Sequence, residues 1–191
     1  MPRVVSGKCR GTVLEAPKGD STRPTTDKVK EAIFSSIQMR VPESAFLDVF
    51  SGTGQMAIEA LSRGAVSAVL IDQAGKSQQV IRKNLEKTHL LESARPLKMG
   101  YMEALRLLGK EGAKFDIIFM DPPYAMAKEA ASKVSTLINE YGLLNEGGIF
   151  IVESDADTEI KEIVTNMTCL KSCKYGATLV TFFLESETMC E

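Results

Sequence analysis

The sequence predicts an α/β fold: a seven-stranded, mostly parallel sheet with helices on both faces and an antiparallel hairpin at its end. Three observations carry that prediction. From Ala45 onward, short apolar, β-branched runs alternate with stretches of helical period, the pattern of repeated βαβ units. The runs are apolar throughout, as strands covered on both faces must be. The last two runs are separated only by Tyr175-Gly-Ala177, which leaves room for a tight turn and none for a crossover helix.

The elements follow in order. Arg3 to Leu14 holds two short β-prone runs around a glycine-containing turn, which predicts a small N-terminal hairpin. Ala16 to Pro24 reads as loop, with two prolines and several small polar residues. Thr25-Thr-Asp then opens a helix in which Val29, Ile33 and Ile37 recur every four positions, and Pro42 closes the segment. Strands are expected at 46–50, 68–71, 96–99, 115–120, 149–153, 170–174 and 178–184. Helices are expected at 55–63, 75–88, 102–108, 127–141 and 158–167. This divides the chain into a basic extension, residues 1–42, and an α/β domain, residues 43–191.

At 191 residues, 44% apolar and 25% charged, the composition is that of one ordinary globular domain. The apolar runs are too short to span a bilayer, and Met1-Pro-Arg-Val-Val-Ser leads into polar sequence rather than a signal peptide. A cytoplasmic protein with no membrane partner is expected. Cys9, Cys169, Cys173 and Cys190 fit no common zinc spacing and read as reduced thiols, and the single histidine, His89, reads as a surface or capping residue, so no metal is expected. Net charge is −2, yet residues 1–30 carry seven basic side chains against three acidic ones. A basic segment on an acidic body is a local electrostatic footprint, read either as a polyanion grip or as a solvated charged arm.

Two stretches carry chemistry. Phe115 to Met120 reads as a buried strand that ends in Asp121-Pro122-Pro123-Tyr124. A proline pair can neither continue a ladder nor readily open a helix, so the backbone must turn outward and hold still. That sets one carboxylate, rigid carbonyls and one ring at the carboxyl edge of the sheet, where open α/β sheets bind ligands. A flat base with an exocyclic amine suits such a corner, and a stiff loop with a packed tyrosine is the plainer alternative. The other stretch, Phe46-Leu-Asp-Val-Phe-Ser-Gly-Thr-Gly-Gln, is a strand running into a glycine-rich turn and a helix start. Asp72 ends the next strand, where a carboxylate can receive ribose hydroxyls. Gly52-x-Gly54-x-x-Ala57 with Asp72 equally fits a dinucleotide fingerprint. Asp48 weighs against that reading, because a carboxylate there repels a pyrophosphate and suits a cationic ligand such as the amino group of S-adenosylmethionine. A plain loop-bracing role is the alternative for Asp48.

With both stretches placed, the chain resembles a Rossmann-like class I S-adenosylmethionine-dependent methyltransferase. Asp48-Val-Phe-Ser-Gly-Thr-Gly54 resembles the cofactor loop of that class, and Asp121-Pro-Pro-Tyr124 the motif of its amino-group methyltransferases. Val5-Ser-Gly-Lys-Cys-Arg-Gly11 and Arg23-Pro-Thr-Thr-Asp-Lys-Val-Lys-Glu-Ala-Ile-Phe34 are similar to the N-terminal signature of the RsmD family, over about residues 2–184. The resemblance implies methylation of N2 of guanine 966 in 16S rRNA, within an assembling small ribosomal subunit, by a monomer. S-adenosylmethionine is the implied donor and S-adenosylhomocysteine the product. It implies catalytic roles for Asp121, Pro122 and Tyr124. Cofactor contacts are implied for Asp48, Phe50, Ser51, Gly52, Thr53, Gly54, Asp72, Gln73 and Met102, and RNA contacts for Arg3, Lys8, Arg10, Arg23 and Lys28. The chain departs from the family pattern at Cys9, where tryptophan is usual, at Gly100-Tyr101-Met102, where Gly-Asp is common, and at Asp72, where glutamate is usual. The competing readings are a DNA adenine-N6 or cytosine-N4 methyltransferase, a nicotinamide oxidoreductase that leaves Asp121–Tyr124 idle, and a catalytically silent RNA-binding protein on the same scaffold.

Overall fold

Seven strands form a single sheet in the computed structural model, which describes residues 1–17 and 25–185. They are β1 (Ala45–Asp48), β2 (Ser67–Ile71), β3 (Ala94–Leu97), β4 (Phe115–Met120), β5 (Leu144–Asp155), β6 (Met167–Tyr175) and β7 (Thr178–Glu185), in the order β3-β2-β1-β4-β5-β7-β6. The first five are parallel, and β7 runs antiparallel to both β5 and β6. The sheet thus finishes with the expected hairpin, and β7 is inserted between β5 and the edge strand β6. The α-helices are α1 (Asp27–Ser36), α2 (Gln55–Ser62), α3 (Gly75–Lys87), α4 (Tyr101–Lys110) and α5 (Ala127–Tyr141).

The apolar strands feed two cores, one on each face. Along β4, Ile117 and Phe119 enter the core that holds α1, α2 and α3, while Ile118 and Met120 enter the one that holds α4 and α5. A strand with buried side chains on both faces is the reason Phe115–Met120 shows no polar alternation. Val4 and Leu14 of the N-terminal arm, with Val29, Ile33 and Phe34 of α1, join the first of these cores.

Two expectations are revised. The predicted helix 158–167 is absent: a single 3₁₀ turn, Ile160–Glu162, crosses from β5 to β6. Asp155 captures the Asp157 N–H (2.9 Å) and the Thr158 hydroxyl (2.8 Å), so local side-chain bonds close a turn where a helix would begin. The N-terminal hairpin reduces to one bridge, Arg3 with Val13, flanked by backbone bonds such as Val4 N–H to the Thr12 carbonyl at 2.9 Å. Several of its other donors turn to α2 instead. The Val5 and Ser6 N–H groups bond the Glu59 carboxylate at 2.7 and 3.0 Å, and the Lys8 N–H bonds the Ser62 carbonyl at 2.8 Å. Gly7 permits that approach. A Cβ built there would stand 1.9 Å from the Ser62 carbonyl oxygen, and φ is +81°.

Candidate active site

The carboxyl ends of β1, β2, β4 and β5 converge on four carboxyl groups: Asp48, Asp72, Asp121 and Glu153. Asp48 closes β1 and is 1% exposed, and neither of its side-chain oxygens has a hydrogen-bond partner. The Ser51 hydroxyl, which could brace it, donates instead to the Asp48 backbone carbonyl at 2.9 Å. The Ala57 N–H and the Ser51 hydroxyl favour the Asp48 anion weakly, without closing a hydrogen bond to either oxygen. Burial pushes the Asp48 carboxyl up to about 8, and the charges of Asp121 and Asp72 add to the rise. An orphaned buried carboxyl beside a glycine loop fits a cationic amino group, whose charge would restore its ionisation.

The loop itself is held open by neighbours on α3 and β2. The Gly52 N–H donates to Asp72 Oδ2 at 2.9 Å, and the Ala74 N–H donates to Asp72 Oδ1 at 2.8 Å. Each oxygen keeps a lone pair, so Asp72 can still receive hydroxyl hydrogens. Buried Asn84 donates to the Thr53 carbonyl at 2.9 Å and so pins the loop from α3. Gly54 caps α2 with φ +77°, and a Cβ there would press Leu70 at 3.1 Å. Phe50 lies against Tyr101, ring centroids 5.0 Å apart, which makes Tyr101 the aromatic wall of this loop. Met102, the next residue of α4, lines the groove between α4 and α5 with Arg106 and Lys133, while Gln73 is exposed beside Asp72.

At the end of β4, Pro122 is buried, Pro123 is exposed, and Tyr124 opens a 3₁₀ turn with 53% of its surface exposed. No cis peptide bond occurs among the described residues, so the proline pair turns the chain by fixed φ alone. The half-buried Asp121 carboxyl is raised above the carboxylate range by burial, and a hydrogen bond from Thr25 partly offsets the rise.

Comparison with known proteins decides the family. A family model described as Conserved hypothetical protein 95 matches residues 2–184. The Escherichia coli (strain K12) protein named "Ribosomal RNA small subunit methyltransferase D" is 30% identical over 164 residues, covering 86% of this chain and 80% of its own. The chain belongs to the RsmD family. A Bacillus subtilis (strain 168) relative named "Putative rRNA methyltransferase YlbH" is 39% identical over 181 residues, covering 95% and 97% of the two chains. Among solved structures, a hypothetical protein of Thermus thermophilus superposes with TM-score 0.81 at 28% identity, over 97% of this chain and all of the other.

In this RsmD-family chain the described basic residues named from the sequence fall on the arm and on α1. Lys8, Arg10 and Lys28 are exposed. Arg3 pairs with Asp27 at 2.7 Å and so joins the arm to the first turn of α1. Arg23 lies outside the described residues. Sequence reasoning missed four participants. Lys30 is fully buried and contacts the Arg3 carbonyl, Gln55 Oε1 (3.4 Å), Asp27 (3.6 Å) and Glu59 (3.9 Å), which ties arm, α1 and α2 together. Tyr101, Thr25 and Glu153 are the others. The signal for Glu153 was present: like Asp48 and Asp121, it is an acid at the end of an apolar run.

Proposed function

We propose that this protein transfers a methyl group from S-adenosylmethionine to N2 of guanine 966 in 16S rRNA within the small ribosomal subunit. One observation carries the reading: Asp121, backed by the rigid Pro122-Pro123 turn and the exposed Tyr124 ring, stands at the same sheet edge as the orphaned Asp48. The relatives named as rRNA methyltransferases support RNA as the substrate class.

When bound, S-adenosylmethionine supplies a methyl carbon on a cationic sulfur and leaves as S-adenosylhomocysteine. Asp48 receives its ammonium group, the Ser51–Gly54 loop gives the backbone close approach, and Asp72 takes ribose hydroxyls. Phe50, Gln73, Tyr101 and Met102 border the space beyond. Asp48, Asp72 and Asp121 favour a cation here and disfavour a pyrophosphate.

Guanine N2 is a weak nucleophile because its lone pair is delocalised into the ring. Asp121 and the Pro122 carbonyl accept its two N–H hydrogens, which localises the lone pair and aims it. Asp121 then takes the proton that the substituted nitrogen sheds. Tyr124 stacks on the base, a contact worth about 1–3 kcal/mol. The base reaches this edge only out of its stack, while Lys8, Arg10, Arg23 and Lys28 hold phosphates without reading sequence.

Two experiments test the reading. Asp121→Ala should abolish methyl transfer while S-adenosylhomocysteine still binds by calorimetry; near-normal turnover would remove Asp121 from the mechanism. In cells lacking the protein, mass mapping of 16S rRNA should find guanine 966 unmethylated and restored on complementation. A modified guanine 966 in those cells would overturn the substrate assignment.

A further inference from the structure

Glu153 takes no part in the function proposed above, yet it is built into the site. It ends the buried part of β5, is 5% exposed, and its Oε2 lies 2.9 Å from Thr25 Oγ1. The same hydroxyl oxygen lies 3.4 Å from Asp121 Oδ2. Thr25, 6% exposed, thus stands between two acids with one hydrogen to give. It can donate to only one of them. The other contact becomes a hydrogen bond only when that acid is protonated and donates to Thr25 itself. The three oxygens therefore form a satisfied row when they share two hydrogens.

The surroundings decide where the second hydrogen sits. Lys30, the buried cation of α1, is committed to the Arg3 carbonyl, Gln55, Asp27 and Glu59. On β7, Val180 lies opposite Glu153, and the adjacent Thr181 bonds Ser172 at 3.1 Å. From β1 the neighbouring group is the Asp48 carboxyl, itself held protonated by burial. Burial raises both Asp121 and Glu153, and the charge of Asp121 raises Glu153 further. Glu153 is the more enclosed of the two, 5% exposed against a half-buried Asp121, so burial costs its anion more and it holds the proton.

We propose that Glu153 is a positioning residue: it keeps a proton and, through the Thr25 hydroxyl, holds Asp121 ionised and aimed at the incoming amine. The row runs from the Glu153 O–H to Thr25 Oγ1, and from the Thr25 O–H to Asp121 Oδ2. When Glu153 loses its proton at higher pH, Thr25 turns its hydrogen to that new anion, and Asp121 loses its donor. The inference rests on Asp121 being the acceptor of the substrate amine, and it adds that the N-terminal Thr25 completes the catalytic corner.

Two measurements test it, one of them without RNA. Infrared difference spectra of wild type minus Glu153→Gln at neutral pH should show a protonated-carboxyl band that shifts in heavy water; Asp48 contributes to both proteins and cancels. Absence of the band, or its appearance in wild type minus Asp121→Asn instead, overturns the assignment. In the pH profile of methyl transfer, wild type should lose activity on the alkaline side, and Glu153→Gln, which donates to Thr25 but cannot ionise, should not. Thr25→Val should move the acidic limb up by about one pH unit or more, because Asp121 loses the bond that favours its anion, and Thr25→Ser should restore it. An unaltered alkaline limb in Glu153→Gln, or an unmoved acidic limb in Thr25→Val, overturns the inference and leaves Asp121→Ala to judge the proposed function separately. If wild type methylates no rRNA, that function fails, while the infrared band still decides where the proton is held.

Discussion

Replacing Glu59 by alanine should detach the N-terminal arm and cost a large share of the fold's stability. Glu59 is fully buried on α2, receives three donors, the Val5 and Ser6 N–H groups and Arg63 Nε at 2.8 Å, and pairs with the Lys30 charge at 3.9 Å. Lys30 is fully buried as well, and burial lowers its pKa despite the attraction of Glu59 and Asp27. Removing Glu59 leaves the buried Lys30 charge to the half-exposed Asp27 at 3.6 Å, and breaking a buried pair in this way costs about 3–5 kcal/mol. The two arm N–H groups are half-exposed and regain water, so they add little. Against a total stability of about 5–15 kcal/mol, that loss is about a fifth or more. For a chain of this size it corresponds to a fall in Tm of about 6–20 °C. Urea denaturation followed by circular dichroism measures the loss, and amide exchange at Val5 and Ser6 locates it. Adding Lys30→Met should recover part of the stability, because the orphaned charge then disappears. The exposed pair Arg82–Glu86 provides the contrast, since breaking it should cost under about 0.5 kcal/mol. A Glu59→Ala protein within about 1 kcal/mol of wild type, or one that Lys30→Met does not help, would refute this account of the arm.

Other outcomes follow from the same geometry. Asp48 is raised from 3.8 to about 8, so between those values the unfolded chain ionises this group while the folded chain resists. Its contribution thus makes stability fall as pH rises through that window, and Asp48→Asn should stabilise the ligand-free protein on the order of 2–4 kcal/mol at neutral pH. The same variant should lose S-adenosylhomocysteine binding, and calorimetry and thermal melts read the two effects apart. Gly54→Ala should cost about 1–2 kcal/mol of strain at φ +77° and weaken cofactor binding further by pressing Leu70, measured by denaturation and titration together. Lys8→Gln with Arg10→Gln should weaken rRNA binding and reduce its salt slope by roughly 2, with melting temperature unchanged; a preserved slope would take the arm out of the RNA grip.

Much of this was legible in the residues, for identifiable reasons. Helix α5 runs from Ala127 to Tyr141 as its pattern required, because a four-residue apolar period ends at Gly142, which adopts the left-handed cap. His89 likewise takes φ +56° just past α3, in keeping with a capping role. Strand β3 begins at Ala94 rather than Pro96, because an edge strand tolerates a proline whose missing N–H faces away from its one partner. Strand β5 starts five residues before Ile149, since Leu144 pairs with Phe115 across a register shift that no local pattern encodes. Asp48, Asp72 and Asp121 could be placed at one edge because each closes an apolar run. Thr25 beside Asp121 could not, because 96 residues separate them and only the packing of α1 on the sheet brings them together. Lys30 was hidden for the opposite reason: a lysine in a basic segment reads as solvated until three elements close over it.

The placing of β7 has a consequence for how the molecule is made. Its Val180 lies beside Glu153, and it fills the gap between β5 and β6. A ribosome must therefore polymerise everything through Tyr175 before the strand that shields this acid exists. Until then β5 presents bare amide groups along one side, and the acid row beside Thr25 stays wet. Catalytic competence, in a nascent chain, should arrive in one late step with the docking of that strand.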